Sequence, residues 1–290
     1  MPADRPTPQA APGDRSGHVL DRRFRLDRRI GKGAMADVYQ ALDLATAAHV
    51  AVKILRSSVA GDPAVLQRFA REGEVQARLR HRNIATLLAT GVTDHDEPYL
   101  VVELLRGKTL RGVLKHEGRV EPRRAASYAW QALQGLGAVH DAGVLHRDLK
   151  PANIMLEPSP GPVERVVLID FGFASFEGSA KLTAQGTVVG SLRYIAPERL
   201  RGEPIDQRSD LYAMGVIFYE LLTGAPPFPV DDDYALIEAQ LNAPPPRLDA
   251  ALPPELDVVV QRALAKHPSD RFPTACDMAA ALERAAVALS

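Results

Sequence analysis

The sequence predicts an α+β chain of two lobes, a small strand-rich one followed by a larger helical one. Three observations carry that reading. Residues 24–104 break into short apolar runs punctuated by Gly and Asp, with one helical stretch among them. After Gly107 the apolar residues recur at helical steps in one segment after another. A length of 290 residues is long for one compact domain and comfortable for two.

The elements follow in order. Residues 1–21 open with four prolines and two glycines in the first twenty positions and almost no bulky apolar groups, so they read as a flexible lead-in. The first lobe is expected over 22–104. In it, Phe24 to Ile30 and Asp37 to Leu44 flank a glycine turn as a hairpin. His49 to Arg56 alternates, with Val50, Val52 and Ile54 on one face and Ala51, Lys53 and Leu55 on the other. Asp62 and Pro63 are a cap and a first-turn proline. The helix behind them puts Val65, Phe69, Glu72, Gln76 and Leu79 on one face. Gly73 within it costs about 1 kcal/mol of helix propensity relative to Ala. Pro98 to Leu104 reads as a further strand. The second lobe is expected over 105–290, with helices at 122–142, 210–223, 232–242, 255–265 and 274–288. The stretch 210–223 is apolar nearly all round, the mark of a central helix.

Composition excludes several functions. Apolar residues are 46% and charged ones 24%, ordinary for a globular protein, and the net charge of −1 lacks the broad positive field of a nucleic-acid binder. Cys276 is the single cysteine, which predicts a reducing compartment and no internal disulfide. No apolar run approaches the roughly 18 residues needed to span a bilayer, and Met1 is followed by no apolar signal core. A cytoplasmic location is the expectation.

The candidate chemistry is concentrated in four places. Gly31-Lys32-Gly33-Ala34-Met35-Ala36 lies between two strands, where glycines let backbone N–H groups approach phosphates. A strand-turn-strand setting argues against a dinucleotide fold. Lys53 sits on an otherwise apolar strand, a costly place without an anion, and Glu72 on the next helix is its candidate partner. Glu74 is turned away by helical spacing. His146-Arg147-Asp148-Leu149-Lys150-Pro151-Ala152-Asn153 is a loop ahead of the apolar strand 154–156. It supplies a proton acceptor, a cation and an amide oxygen, the set that phosphoryl transfer needs. Asp170, ahead of Phe171 and Gly172, emerges from the end of an apolar strand as a ligand for a hard cation.

In that joint order the sequence resembles the eukaryotic-type (Hanks-type) protein kinases, in the form of the bacterial Ser/Thr kinases, over roughly residues 22–286. The resemblance implies a bilobal kinase fold and transfer of the γ-phosphoryl of ATP to protein Ser and Thr hydroxyls. It implies that Ile30, Gly31, Lys32 and Gly33 bound the nucleotide, and that Val38, Ala51 and Leu156 sandwich its base. Lys53, paired with Glu72, would hold the α- and β-phosphates. Val102 would be the gatekeeper, and the backbone of Glu103 and Leu105 would bond adenine. Asp148 would accept the proton of the attacking hydroxyl, Lys150 would steady the γ-phosphate, and Asn153 with Asp170 would bind Mg²⁺, with Mn²⁺ as the alternative ion. Glu198 of Ala196-Pro197-Glu198 would pair with Arg271, and Asp210 would brace the catalytic loop. Arg147 would read a phosphate on the activation segment, where Thr183 and Thr187 are the candidate sites and Ser191 stands in the place of the usual Thr. Ala36 departs from the family's third glycine, and residues 157–162 lengthen a hairpin.

The partners implied are protein substrates and a second copy of the chain for trans-autophosphorylation, with no nucleic acid and no membrane span. Two alternatives stand beside this reading. A pseudokinase scaffold is opposed by the complete set of catalytic groups. A small-molecule phosphotransferase is opposed by Ala196-Pro197-Glu198 and Arg271.

Overall fold

A computed structural model describes residues 14–33, 35–161, 163–170 and 192–289. Two compact units emerge. The first takes in the chain up to Ala77 and Thr86–Leu105, the second Arg78–Ala85 and everything from Arg106 on.

The first unit holds β1 (Val19–Leu20), β2 (Phe24–Lys32), β3 (Ala36–Asp43), β4 (Ala48–Leu55), the single turn α1 (Ser57–Ala60), α2 (Pro63–Arg78), β5 (Leu87–Val92) and β6 (Pro98–Glu103). The strands form one antiparallel sheet in the order β1-β2-β3-β4-β6-β5. Its two faces are both apolar, for different reasons. On one, Tyr39, Val52 and Val101 align across three strands and are wholly buried among Leu26, Val50 and Ile54. On the other, Leu55 and Leu100 pack with Phe69 of α2. The alternation expected of β4 thus places its two faces in two clusters, and Lys53 falls on the α2 side.

α2 starts where Asp62 accepts the backbone N–H of Ala64 at 2.8 Å, with Pro63 at the first position. Its buried residues include Phe69, Glu72, Gly73 and Gln76, the expected face. Gly73 has a packing reason, since a Cβ there would lie 2.9 Å from Leu100 Cδ2.

The lead-in expected to be flexible through residue 21 is tied down from Asp14. Gly17 N–H donates to Leu26 O at 2.7 Å, β1 pairs with β2, and Arg15 makes a two-point ion pair with the buried carboxylate of Glu97. Ser57 adds a hydroxyl at 2.5 Å. A buried carboxylate needs such donors, and the N-terminal arm supplies them.

The second unit continues with β7 (Lys108–Thr109), α3 (Leu110–Glu117), α4 (Pro122–Asp141), β8 (Ile154–Glu157), β9 (Arg165–Leu168), α5 (Pro197–Arg201), α6 (Gln207–Thr223), α7 (Asp233–Asn242), α8 (Pro254–Ala263) and α9 (Ala275–Ala286). α6 is its centre: Leu211, Tyr212, Val216, Ile217, Phe218 and Leu221 are all fully buried. α4 packs on α6 and α9, and α8 on α6 and α9. Asp206 caps α6 at its start and Gly224, at φ 83°, ends it in the left-handed region.

Arg78–Ala85 joins this unit rather than the strand-rich one because its backbone is bonded to β9. Leu168 N–H donates to Asn83 O at 2.9 Å, Ala85 N–H to Leu168 O at 3.0 Å, and the Asn83 amide to Val166 O at 2.7 Å. Gly107 is required where it stands, since a Cβ would come within 1.8 Å of Leu156 O.

Candidate active site

In the first unit, strand register gathers the expected residues on one sheet face. Gly31 pairs with Val38, Val38 with Lys53, and Lys53 with Leu100; one step along, Ala51 pairs with Val102. Lys53 Nζ donates to Glu72 Oε1 at 2.6 Å. Glu74 is exposed, as helical spacing requires. Gly33 closes the turn by donating to Ala36 O at 2.9 Å, and Ile30 and Lys32 lie on β2 just before it. At the end of β6 the backbone N–H of Glu103 goes to Thr86 O at 3.0 Å, while its carboxylate accepts Thr86 N–H at 2.9 Å. The Glu103 N–H is thereby committed to Thr86 rather than open to an adenine contact. Leu105 ends the unit.

The second unit holds the loop between α4 and β8. Its backbone turns sharply at Arg147, a non-glycine residue at φ 64°. The turn is held from one side by Asp210, the carboxylate at the start of α6, which accepts His146 N–H at 2.8 Å and Arg147 N–H at 2.9 Å. His140 Nε2 lies 2.9 Å from the same carboxylate. Burial pushes Asp210 up, but the contact with His140, the charges of His140 and His146 and these backbone bonds outweigh it and keep the acid below its ordinary range. From the other side Arg199 of α5 donates to Arg147 O at 2.6 Å. Arg199 is half-buried: burial pushes its guanidinium down, against the attraction of Asp148 and Asp210. Nothing in the sequence motif pointed to Arg199.

Asp148 follows the turn. Its carboxylate accepts Lys150 Nζ at 2.8 and 3.0 Å and the Asn153 amide at 2.9 Å, and the same amide donates to Asp148 O at 2.8 Å. About a third of the Asp148 side chain reaches solvent, so the acid is restrained by its neighbours and still accessible. Since the Asn153 nitrogen is committed to Asp148, its amide oxygen is directed elsewhere. Antiparallel pairing of β8 with β9, extended by Ile169 N–H to Asn153 O at 3.0 Å, brings Asn153 beside the strand end from which Asp170 leaves at φ 53°. Asp210, Asp148 and Asp170 all act electrostatically on the buried ring of His146, although burial dominates and pushes that ring down. Leu156 is buried on β8. The loop therefore offers an accessible carboxylate that can take a proton from a hydroxyl, an ammonium beside it, and two oxygen donors of hard character.

Behind it Glu198 and Arg271 form a two-point pair at 2.8 and 2.7 Å, with Ser209 donating to the same carboxylate at 2.5 Å. Arg271 also donates to Ala265 O at 2.8 Å and to Arg208 O and Lys266 O at 3.1 Å, so all five of its N–H groups are used. Thr183, Thr187 and Ser191, with Phe171 and Gly172, lie outside the described residues.

Comparison with known proteins is consistent across sequence and structure. The family model for the protein kinase domain matches residues 24–281. The probable serine/threonine-protein kinase PknB of Corynebacterium glutamicum is 40% identical over 278 residues, covering 92% of this chain and 42% of that protein. Serine/threonine-protein kinase PknB of Mycolicibacterium smegmatis is likewise 40% identical over 275 residues, covering 92% and 43%. The chain thus spans about two fifths of the length of these relatives. A crystal structure of the Mycobacterium tuberculosis PknI kinase domain superposes with a TM-score of 0.69 at 27% identity, covering 93% of this chain and 98% of that one.

Proposed function

The chain belongs to the protein kinase domain family, and from that premise we propose that it transfers the γ-phosphoryl group of ATP to serine and threonine hydroxyls of proteins. The observation that carries the proposal is Asp148, an accessible carboxylate bonded to Lys150 and Asn153 on a loop clamped from behind by Asp210. Phosphoryl transfer demands little covalent chemistry of a protein; it demands positioning and charge.

In this reading Asp148 accepts the proton as the substrate hydroxyl attacks, and Lys150 offsets charge on the transferring group. Lys53, oriented by Glu72, takes the α- and β-phosphates. Gly31, Lys32 and Gly33, with Ile30, bound the nucleotide, while Val38, Ala51, Val102 and Leu156 give its base an apolar setting. The Glu103 carbonyl and the Leu105 backbone hold its polar edge. The family uses ATP with a divalent cation. The donor set fits Mg²⁺, with Mn²⁺ as the alternative: the Asn153 amide oxygen and the Asp170 carboxylate are hard ligands too few for a protein cage, as suits an ion that shares its shell with phosphate and water. When bound, such an ion neutralises phosphate charge.

Regulation is proposed through autophosphorylation of Thr183 or Thr187, read by Arg147, with a second copy of the chain as the partner. A phosphate adds nearly two negative charges opposite a guanidinium. No helix among the described residues is long and apolar enough to cross a membrane; a cytoplasmic location is part of the proposal.

The test is incubation of the chain with γ-labelled ATP, Mg²⁺ and a mixture of acidic and basic acceptor proteins, followed by phosphoamino-acid analysis and mass spectrometry. Label on Ser and Thr supports the reading. Nucleotide binding with no transfer to any protein would instead make the chain a scaffold.

A further inference from the structure

On the second unit a recess of about 400 Å³ opens beside Lys150. Its described lining includes Arg111 of α3, Arg193 and Tyr194 ahead of α5, and Glu220 of α6. Among these charged groups Glu220 is the only acid, and it is already engaged. Arg111 Nη1 donates to Glu220 Oε1 at 2.9 Å, and the Tyr194 hydroxyl donates to Glu220 Oε2 at 2.6 Å. Arg111 Nη2 donates in turn to the Tyr194 oxygen, closing a three-membered ring. Burial and the neighbouring charge of Glu220 push the Tyr194 phenol up, so it stays a donor at neutral pH.

The cations differ from the acid in how firmly they are held. Arg193 reaches Asp231 at 3.2 Å, but that aspartate is fully exposed and water weakens the pair. The Arg111 side chain is nearly half exposed, while its Glu220 partner is buried. A basic side chain entering the recess would meet Arg111, Arg193 and Lys150, the last paired with Asp148, and a buried carboxylate each of whose oxygens already accepts a bond. An acidic one would meet the guanidinium groups of Arg111 and Arg193, whose planar geometry suits a carboxylate. Because Lys150 borders the recess and also bonds Asp148, whatever fills it lies close to the carboxylate proposed to take the hydroxyl proton.

We propose that this recess is an acid-selective subsite for the substrate segment, and that Arg111 sets its sign. It takes an aspartate or glutamate within a few residues of the accepting hydroxyl and rejects lysine or arginine there. The proposal rests on the kinase reading and deepens it by naming the substrate class.

Peptides sharing one acceptor threonine, flanked by glutamate, alanine or arginine, test it. The glutamate set is expected to exceed the arginine set in kcat/KM by about tenfold, or 1.4 kcal/mol, with alanine between. Arg111→Lys keeps the order, and Arg111→Glu reverses it. Should Arg111→Glu fail to fold, Arg193→Ala is expected to narrow the ratio. A wild-type preference for arginine overturns the proposal, as does a folded Arg111→Glu protein with an unchanged ratio. Fluorescence anisotropy of the same peptides, without ATP, separates the two readings. If no peptide is phosphorylated but glutamate peptides still bind more tightly, the kinase reading fails and the subsite stands. If binding shows no order by charge, the subsite fails.

Discussion

Two acid–base pairs, one in each unit, do opposite things with the same chemistry. Lys53 and Glu72 meet at 2.6 Å with 20% and 9% of their side chains exposed. Glu198 and Arg271 meet at 2.7 Å with 2% and 0%. The first cation is a compact ammonium that water reaches, on a strand whose neighbours are apolar. The second is a planar guanidinium with donors spent on three backbone carbonyls as well as the carboxylate. A group proposed to take up a phosphate must keep access to solvent. A group meant to lock a segment to the helical core must not, because removing one partner of a sealed pair strands the other charge.

That contrast can be broken by substitution. Lys53→Met is expected to reduce phosphoryl transfer by about 10⁴-fold, roughly 5 kcal/mol at 1.36 kcal/mol per decade, with a fall in Tm well short of that caused by Arg271→Ala. Arg271→Ala should do the reverse, costing about 3–5 kcal/mol of stability by denaturant melts. Equal melting of the two variants would abolish the distinction. Arg199→Ala should lower kcat about tenfold, near 1.4 kcal/mol, by releasing the Arg147 carbonyl. The KM for ATP should hold, and Arg199→Lys should recover part of the loss; a change confined to KM would contradict that role.

The smallest effect is a pH dependence. Burial pushes the Glu198 carboxyl up, but the hydrogen bonds and charge of Arg271 and the Ser209 hydroxyl more than offset it, so the folded value lies below the ordinary one. The contribution is therefore complete above the unfolded glutamate range, near about pH 4.3, and is lost as pH falls through the lower folded value. The stability gap between wild type and Glu198→Gln, measured by urea melts, should be constant at neutral pH and shrink below about pH 4. A gap that widens on acidification would reverse the sign of the argument.

Much of this was legible in sequence because it is local or periodic. Lys53 interrupts an apolar strand, helical steps separate Glu72 from Glu74, and residues 146–153 form one contiguous motif. What was not legible depends on chain segments far apart. Arg199 reaches Arg147 across 52 positions and Arg15 reaches Glu97 across 82, and neither Arg nor Glu carries a local signal for so distant a partner. β1, with two residues, is below the length at which alternation can be read. α3 did carry a signal, in Leu110, Val113 and Leu114 at helical spacing. Arg78–Ala85 reads as the end of a helix and a turn; only its backbone bonds to β9 place it with the second unit. The engagement of Glu220 by Arg111, 109 positions away, is likewise invisible until the fold brings α3 beside α6.

The proposed function depends above all on Asp148 as the acceptor of the hydroxyl proton. Single-turnover transfer from ATP to a threonine peptide, measured for wild type and Asp148→Asn alongside ATP affinity, addresses it directly. The expected result is a rate lower by about 10²–10⁴-fold with ATP affinity unchanged. A variant that transfers phosphate at the wild-type rate would contradict it.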